Sequence, residues 1–209
     1  MSNLWRLEDS DQFCMTLSLD RSPEEIIRIY GGDETAARIL SAREAPETPP
    51  AGTTLRIGSL GDWRFCIEFE NPVGFTEKII RDLSRGTEAI VLFRTVKALK
   101  VFHYVINGRI IEWFEPGYPP SSQGCSPHEF SRKVHTLTDA GMKPIAACLE
   151  VITGHTGQEI SEEKILGPLL SVVIHELDRD SLGHPNPPLL YPSIPLTNSR
   201  PLGPQLKPY

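Results

Sequence analysis

Apolar and polar positions along this chain recur with two periods, and the switches between them mark out its elements. From Trp63 to Glu70, the residues Trp63, Phe65, Ile67 and Phe69 alternate with Arg64, Cys66, Glu68 and Glu70. That period of two predicts a half-buried strand. Further strands are predicted over 13–19, 53–58, 89–96, 101–106 and 109–115. The strands at 53–58 and 63–70 form a hairpin around Ser59-Leu60-Gly61-Asp62. Asn107-Gly108 closes a second hairpin, because this dipeptide readily takes positive φ at both central turn positions.

Helical spacing appears where capping chemistry also appears. Ser22-Pro23-Glu24-Glu25 is a capping box with proline at the first helical position, followed by Ile26, Ile27 and Tyr30 and stopped by Gly31-Gly32. Asp33 heads a short second helix through Ala36, Ala37, Ile39 and Leu40. Thr76 opens a helix carrying Ile79, Ile80 and Leu83 that ends at Gly86. Ser126-Pro127-His128-Glu129 repeats the capping box ahead of Phe130, Val134 and Leu137, closing at Gly141. Pro144 starts another helix with Ala147, Cys148, Val151 and Ile152, ending at Gly154. Residues 162–176 read as a helix broken by Gly167-Pro168, with an edge strand from Leu169 to Ile174 as the alternative.

Consecutive strands joined by tight turns predict an α+β domain over residues 1–182. Its sheet is largely antiparallel, with about five to six strands and helices packed on one face. Residues 183–209 differ in kind. They hold eight of the 19 prolines, which fix φ and remove amide donors, so an extended Pro-rich C-terminal tail is expected. Leu189, Leu190, Tyr191 and Ile194 within it are close enough together to dock on a partner. Ala45 to Gly52, with three prolines, is a surface loop.

Charge removes some functions. The net charge is −6, from 21 basic and 27 acidic side chains, and the only charged residues after Gly183 are Arg200 and Lys207. The body is thus more acidic still, and lacks the basic footprint of a nucleic-acid-binding surface. No apolar run is long enough to span a membrane, and the first residues lack the basic start and apolar core of a secretory signal, so a cytoplasmic protein is expected. Cys14, Cys66, Cys125 and Cys148 follow no zinc spacing and read as reduced thiols, with no metal and no cofactor implied.

One constellation follows from strand register. A two-residue Asn107-Gly108 turn sets Tyr104 opposite Ile111, His103 opposite Glu112 and Phe102 opposite Trp113. A four-residue loop from Lys97 to Lys100 then sets Arg94 opposite His103. Arg94, His103 and Glu112 would form a row across three strands. Such a row is either a charge-complementary ladder or a histidine oriented by Glu112 as a general base. His128 and His135 share a helix face without further metal ligands. Gly154-His155-Thr156-Gly157 reads as a helix C-cap. No nucleotide-binding, metalloprotease or nucleophile-elbow motif is present.

Several segments, in order, resemble a family of small uncharacterised actinobacterial proteins that share a domain of unknown function. They are Cys14-Met15-Thr16-Leu17, Ser22-Pro23-Glu24-Glu25, Gly31-Gly32-Asp33, Gly61-Asp62-Trp63 through Glu68 to Asn71, Gly74, and Leu83-Ser84-Arg85-Gly86. The His103-Tyr104 strand with Asn107-Gly108-Arg109, and the helix end from Leu149 to Gly154, complete the set. The resemblance spans about residues 5–175 and implies one domain with no assigned catalytic residues. Two functions are compatible with these features. The first is a non-catalytic module of accessory or immunity type that binds another protein. The second is a small enzyme or ligand-binding domain built on Arg94, His103 and Glu112.

Overall fold

The computed structural model describes residues 7–8, 10–45, 52–125 and 128–175. The Pro-rich tail with Leu189, Leu190, Tyr191 and Ile194 lies outside the described residues, as do Ser126 and Pro127. The described chain forms nine strands: β1 Phe13–Leu19, β2 Arg38–Leu40, β3 Thr53–Leu60, β4 Trp63–Glu68, β5 Glu88–Arg94, β6 Lys100–Ile106, β7 Arg109–Glu115, β8 Tyr118–Gly124 and β9 Leu169–Ile174. The helices are α1 Pro23–Ile29, α2 Glu77–Leu83, α3 Glu129–Asp139, α4 Pro144–Thr156 and α5 Glu162–Leu166, with a 3₁₀ turn at Glu34–Ala36.

All nine strands join one antiparallel sheet in the order β2-β9-β3-β4-β1-β5-β6-β7-β8. The expected α+β class holds, but the sheet is larger than the five or six strands predicted. The additional strands have little pattern of their own. β2 is three residues long, with Ile39 exposed, and replaces the expected helix through Ile39 and Leu40. β8 reads Tyr-Pro-Pro-Ser-Ser-Gln-Gly and is mostly exposed; its two prolines are tolerated because it is an edge. Gly167 and Pro168 divide the expected 162–176 helix into α5 and β9, and β9 is an interior strand between β2 and β3.

Helices cover both faces rather than the single face predicted. On one face Ile26, Ile27, Ile79 and Leu83 of α1 and α2 pack on Leu55, Ile57, Cys66, Ala89 and Val172. On the other, Phe130, Val134, Ile145, Cys148 and Ile152 of α3 and α4 pack on Met15, Leu17, Phe65, Ile67, Ile90 and Phe102. The central strands β1 and β5 are buried on both sides: Phe13 to Ser18 and Ala89 to Phe93 are buried without interruption. In β5 this run is wholly apolar, the mark of a two-sided strand, whereas β1 buries Thr16 and Ser18 within it.

Capping proceeds as predicted at α1, where Ser22 and Glu25 complete a capping box. At α3 it does not. The helix begins at Glu129, and His128 occupies the cap position in the left-handed conformation (φ 53°) without a side-chain bond to the helix. Its amide donors are satisfied from the sheet instead.

Candidate binding site

The β6–β7 hairpin turns at Asn107 and Gly108 with φ of 48° and 75°, as a type I′ turn requires. Pairing begins as predicted, Ile106 with Arg109 and Val105 with Ile110. Then Ile111 is inserted as a bulge, and Tyr104 pairs with Glu112, His103 with Trp113 and Phe102 with Phe114. The Ile111 carbonyl accepts from the Cys125 amide at 2.6 Å. Gly124 packs so closely against that carbonyl that a Cβ there would collide with it. One added residue moves every later β7 side chain to the opposite face.

The predicted row of Arg94, His103 and Glu112 therefore does not form. His103 lies opposite Val91 and Trp113, and Arg94 lies opposite Lys100 because the loop runs from Thr95 to Leu99. Arg94 donates instead to the Glu8 carbonyl. His103 is buried, its Nδ1 lacks a hydrogen-bond partner among the described residues, and burial pulls its pKa down to about 4. It is shielded from solvent and lies opposite Val91 and Trp113, so Glu112 does not orient it.

The bulge puts Glu112 on the α3–α4 face. There its carboxylate accepts from the Ser131 amide at 2.7 Å and the Phe130 amide at 3.1 Å. It caps α3 in place of a local side chain. Other buried charges are used in the same way. Glu68 accepts from the amides of Val73 and Gly74, both at 2.9 Å. Arg56 donates to the carbonyls of Ile165 in the last turn of α5 and of Gly167 just past it, at 2.8 and 2.7 Å. Each satisfies backbone groups that would otherwise be orphaned, so each belongs to the fold.

A different cluster opens to solvent. Glu88 starts β5, Tyr104 lies on β6 and His155 on the last turn of α4. Tyr104 Oη donates to Glu88 Oε2 at 2.5 Å, and His155 Nε2 donates to the same oxygen at 3.2 Å. Three aromatic rings enclose the imidazole: Phe130 at 5.0 Å, Tyr104 at 5.5 Å and Trp63 at 5.7 Å between centroids, all tilted or edge-on. Burial, and then the hydrogen bond to Glu88, push the Tyr104 phenol well above its ordinary range, so it stays a neutral donor. Beside this cage runs an open groove of about 570 Å³, lined by Asp20, Thr87, Glu88, Tyr104, Ile106 and Asn107 among others.

The sequence pattern sets Tyr104 opposite Ile111 and His155 in a helix cap, and does not join them. The joining contacts span 16 and 67 residues, so only the helix-on-sheet packing brings them together. Among the described residues no group of three or more His, Cys, Asp or Glu could hold a metal ion, and no helix is long and apolar enough to cross a membrane. Cys14, Cys66 and Cys148 are buried free thiols, whereas Cys125 is exposed.

Comparison with curated proteins and with solved structures finds no match. A family model does match, over residues 2–147, a span that includes Trp63, Glu88, Tyr104, Glu112 and Phe130 and stops short of His155. With well over half of its length matched, the chain belongs to the family of unknown function DUF6461.

Proposed function

We propose that this protein is a non-catalytic binding module, of accessory type, that engages a protein partner through the groove beside Tyr104 and Glu88. The observation that carries this reading is the convergence of Glu88, Tyr104 and His155 on one oxygen at the wall of an open groove. The cluster has binding chemistry rather than reaction chemistry. Its phenol is held neutral, its carboxylate is occupied by two donors, and it contains no serine, threonine or cysteine nucleophile. The second reading, an enzyme or ligand-binding domain on Arg94, His103 and Glu112, lacks the convergence it needs, since the three point to different partners.

Ile106 lines the groove and is 39% exposed, so it reports on occupancy without belonging to the cluster. A photo-crosslinking side chain at position 106 should capture a protein partner in cells. The same group at Met142, exposed to a similar 37% elsewhere on the surface, should not. Equal labelling from both positions, or none from 106, would refute a partner at this groove.

A further inference from the structure

Resting on the reading of the groove as a binding site, we infer that its ligand group is a cation: a lysine or arginine side chain of the partner, which displaces His155 from the cage of Trp63, Tyr104 and Phe130 against Glu88. Charge, aromatic lining, helix ends and the present occupant of the cage support this inference. The groove lining contains the carboxylates of Asp20 and Glu88 and no lysine or arginine. A third carboxylate, Glu129, lies close enough to His155 to interact with it electrostatically, although Lys133 already pairs with it at 2.6 Å. Three ring systems lie within 5.7 Å of the imidazole between centroids, tilted or edge-on to it, and a cation that comes to lie over one of their faces is attracted by the ring quadrupole.

The helix ends bias the site in the same direction. His155 sits on the last turn of the 13-residue α4, whose unpaired carbonyls present partial negative charge. The N-terminus of α3 also meets the cage, through Phe130, and its partial positive charge would oppose a cation. Glu112 neutralises that end by accepting the Phe130 and Ser131 amides. The buried cap thus makes the cage electrostatically one-sided.

His155 already fills the cage with a nitrogen donor 3.2 Å from Glu88, and its side chain remains 29% exposed. The site is therefore shaped for a nitrogen base on a carboxylate, and holds an internal one on the last turn of a helix. A lysine ammonium or arginine guanidinium offers the same donor with a permanent charge. The acidic net charge of the chain steers such a partner towards it.

The test uses the full chain, with the Trp63 indole and His155 imidazole signals followed by NMR at about 0.15 M salt, a physiological ionic strength. Hexalysine and hexaarginine are titrated, with hexaglutamate and free lysine amide as comparison ligands. The basic peptides should shift both signals saturably and hexaglutamate should not. Glu88→Gln, which keeps an acceptor for Tyr104, should weaken basic-peptide binding about tenfold. His155→Ala empties the cage and should tighten it by roughly fivefold. Thermal melting of both variants confirms that they are folded. If basic peptides bind equally to the parent chain, Glu88→Gln and His155→Ala, the attraction is diffuse surface charge and the inference fails. If hexaglutamate shifts the signals and the basic peptides do not, the cation is wrong while the groove reading stands. Stronger shifts from free lysine amide than from the peptides would overturn the assignment to a protein side chain. No shift from any ligand overturns the inference, and crosslinking at position 106 then judges the groove separately.

Discussion

Removing the Glu112 carboxylate should destabilise the protein far more than a surface charge would. Glu112 is 3% exposed and accepts two backbone amides, at 2.7 and 3.1 Å, from a helix whose own cap residue supplies no side-chain acceptor. In Glu112→Ala both amides lose their acceptor inside the core. Each orphaned buried donor costs about 1–3 kcal/mol, and relief of the buried carboxylate's own desolvation offsets part of that. A net loss of about 2–4 kcal/mol follows. Glu112→Gln retains one acceptor oxygen and should lose about half as much. Glu77→Gln serves as a control: its ion pair with Arg81 is about 60% exposed on both sides and should be worth less than about 0.5 kcal/mol. Urea unfolding followed by tryptophan fluorescence measures all three. Native-state amide exchange adds a local readout, since protection should fall most at Phe130 and Ser131. If Glu112→Ala matched the control in stability, or left those two amides protected, the cap would not be holding α3 to the sheet.

Two further outcomes are expected. The native pKa of His103, about 4, lies below its unfolded value near 6.5. Between those pH values the unfolded chain binds the extra proton, so stability should fall as pH drops through that window, by up to about 3 kcal/mol near pH 4. His103→Leu should flatten this part of the curve in urea titrations at pH 7 and pH 4.5, and an unchanged pH slope would contradict the burial argument. Burial raises the thiol pKa of Cys14, Cys66 and Cys148, whereas Cys125 is exposed. A thiol reagent should therefore modify one cysteine in the native protein and all four in denaturant; rapid native labelling of a second would show that a core strand or α4 opens.

Much of the fold is legible from residues close in sequence. The Ser22 capping box and the Asn107-Gly108 turn each depend on neighbours within a few positions, and each forms as the pattern implies. The alternation from Trp63 to Glu68 gives its strand but not the half-exposed face expected of it, because Cys66 and Glu68 are buried along with Trp63, Phe65 and Ile67. The uninterrupted apolar run of β5 also announces a strand buried on both faces, although composition alone does not say which helices cover it. Tertiary structure decided the remainder. β2 and β8 carry too little pattern to exist without the strands they pair with. The bulge at Ile111 is set by contacts outside its own hairpin, with Gly124 and Cys125 seated on its carbonyl and α3 drawing Glu112 to its amides. That single insertion decides that Glu112 caps a helix and that His103 faces Trp113 instead of a carboxylate. The cage is likewise a product of packing. Trp63, Glu88, Tyr104, Phe130 and His155 come from five elements, and only the docking of α3 and α4 on the sheet brings them within reach of one oxygen and one another. Local rules act over a few residues. A site assembled across 92 residues, from 63 to 155, depends on how the layers pack.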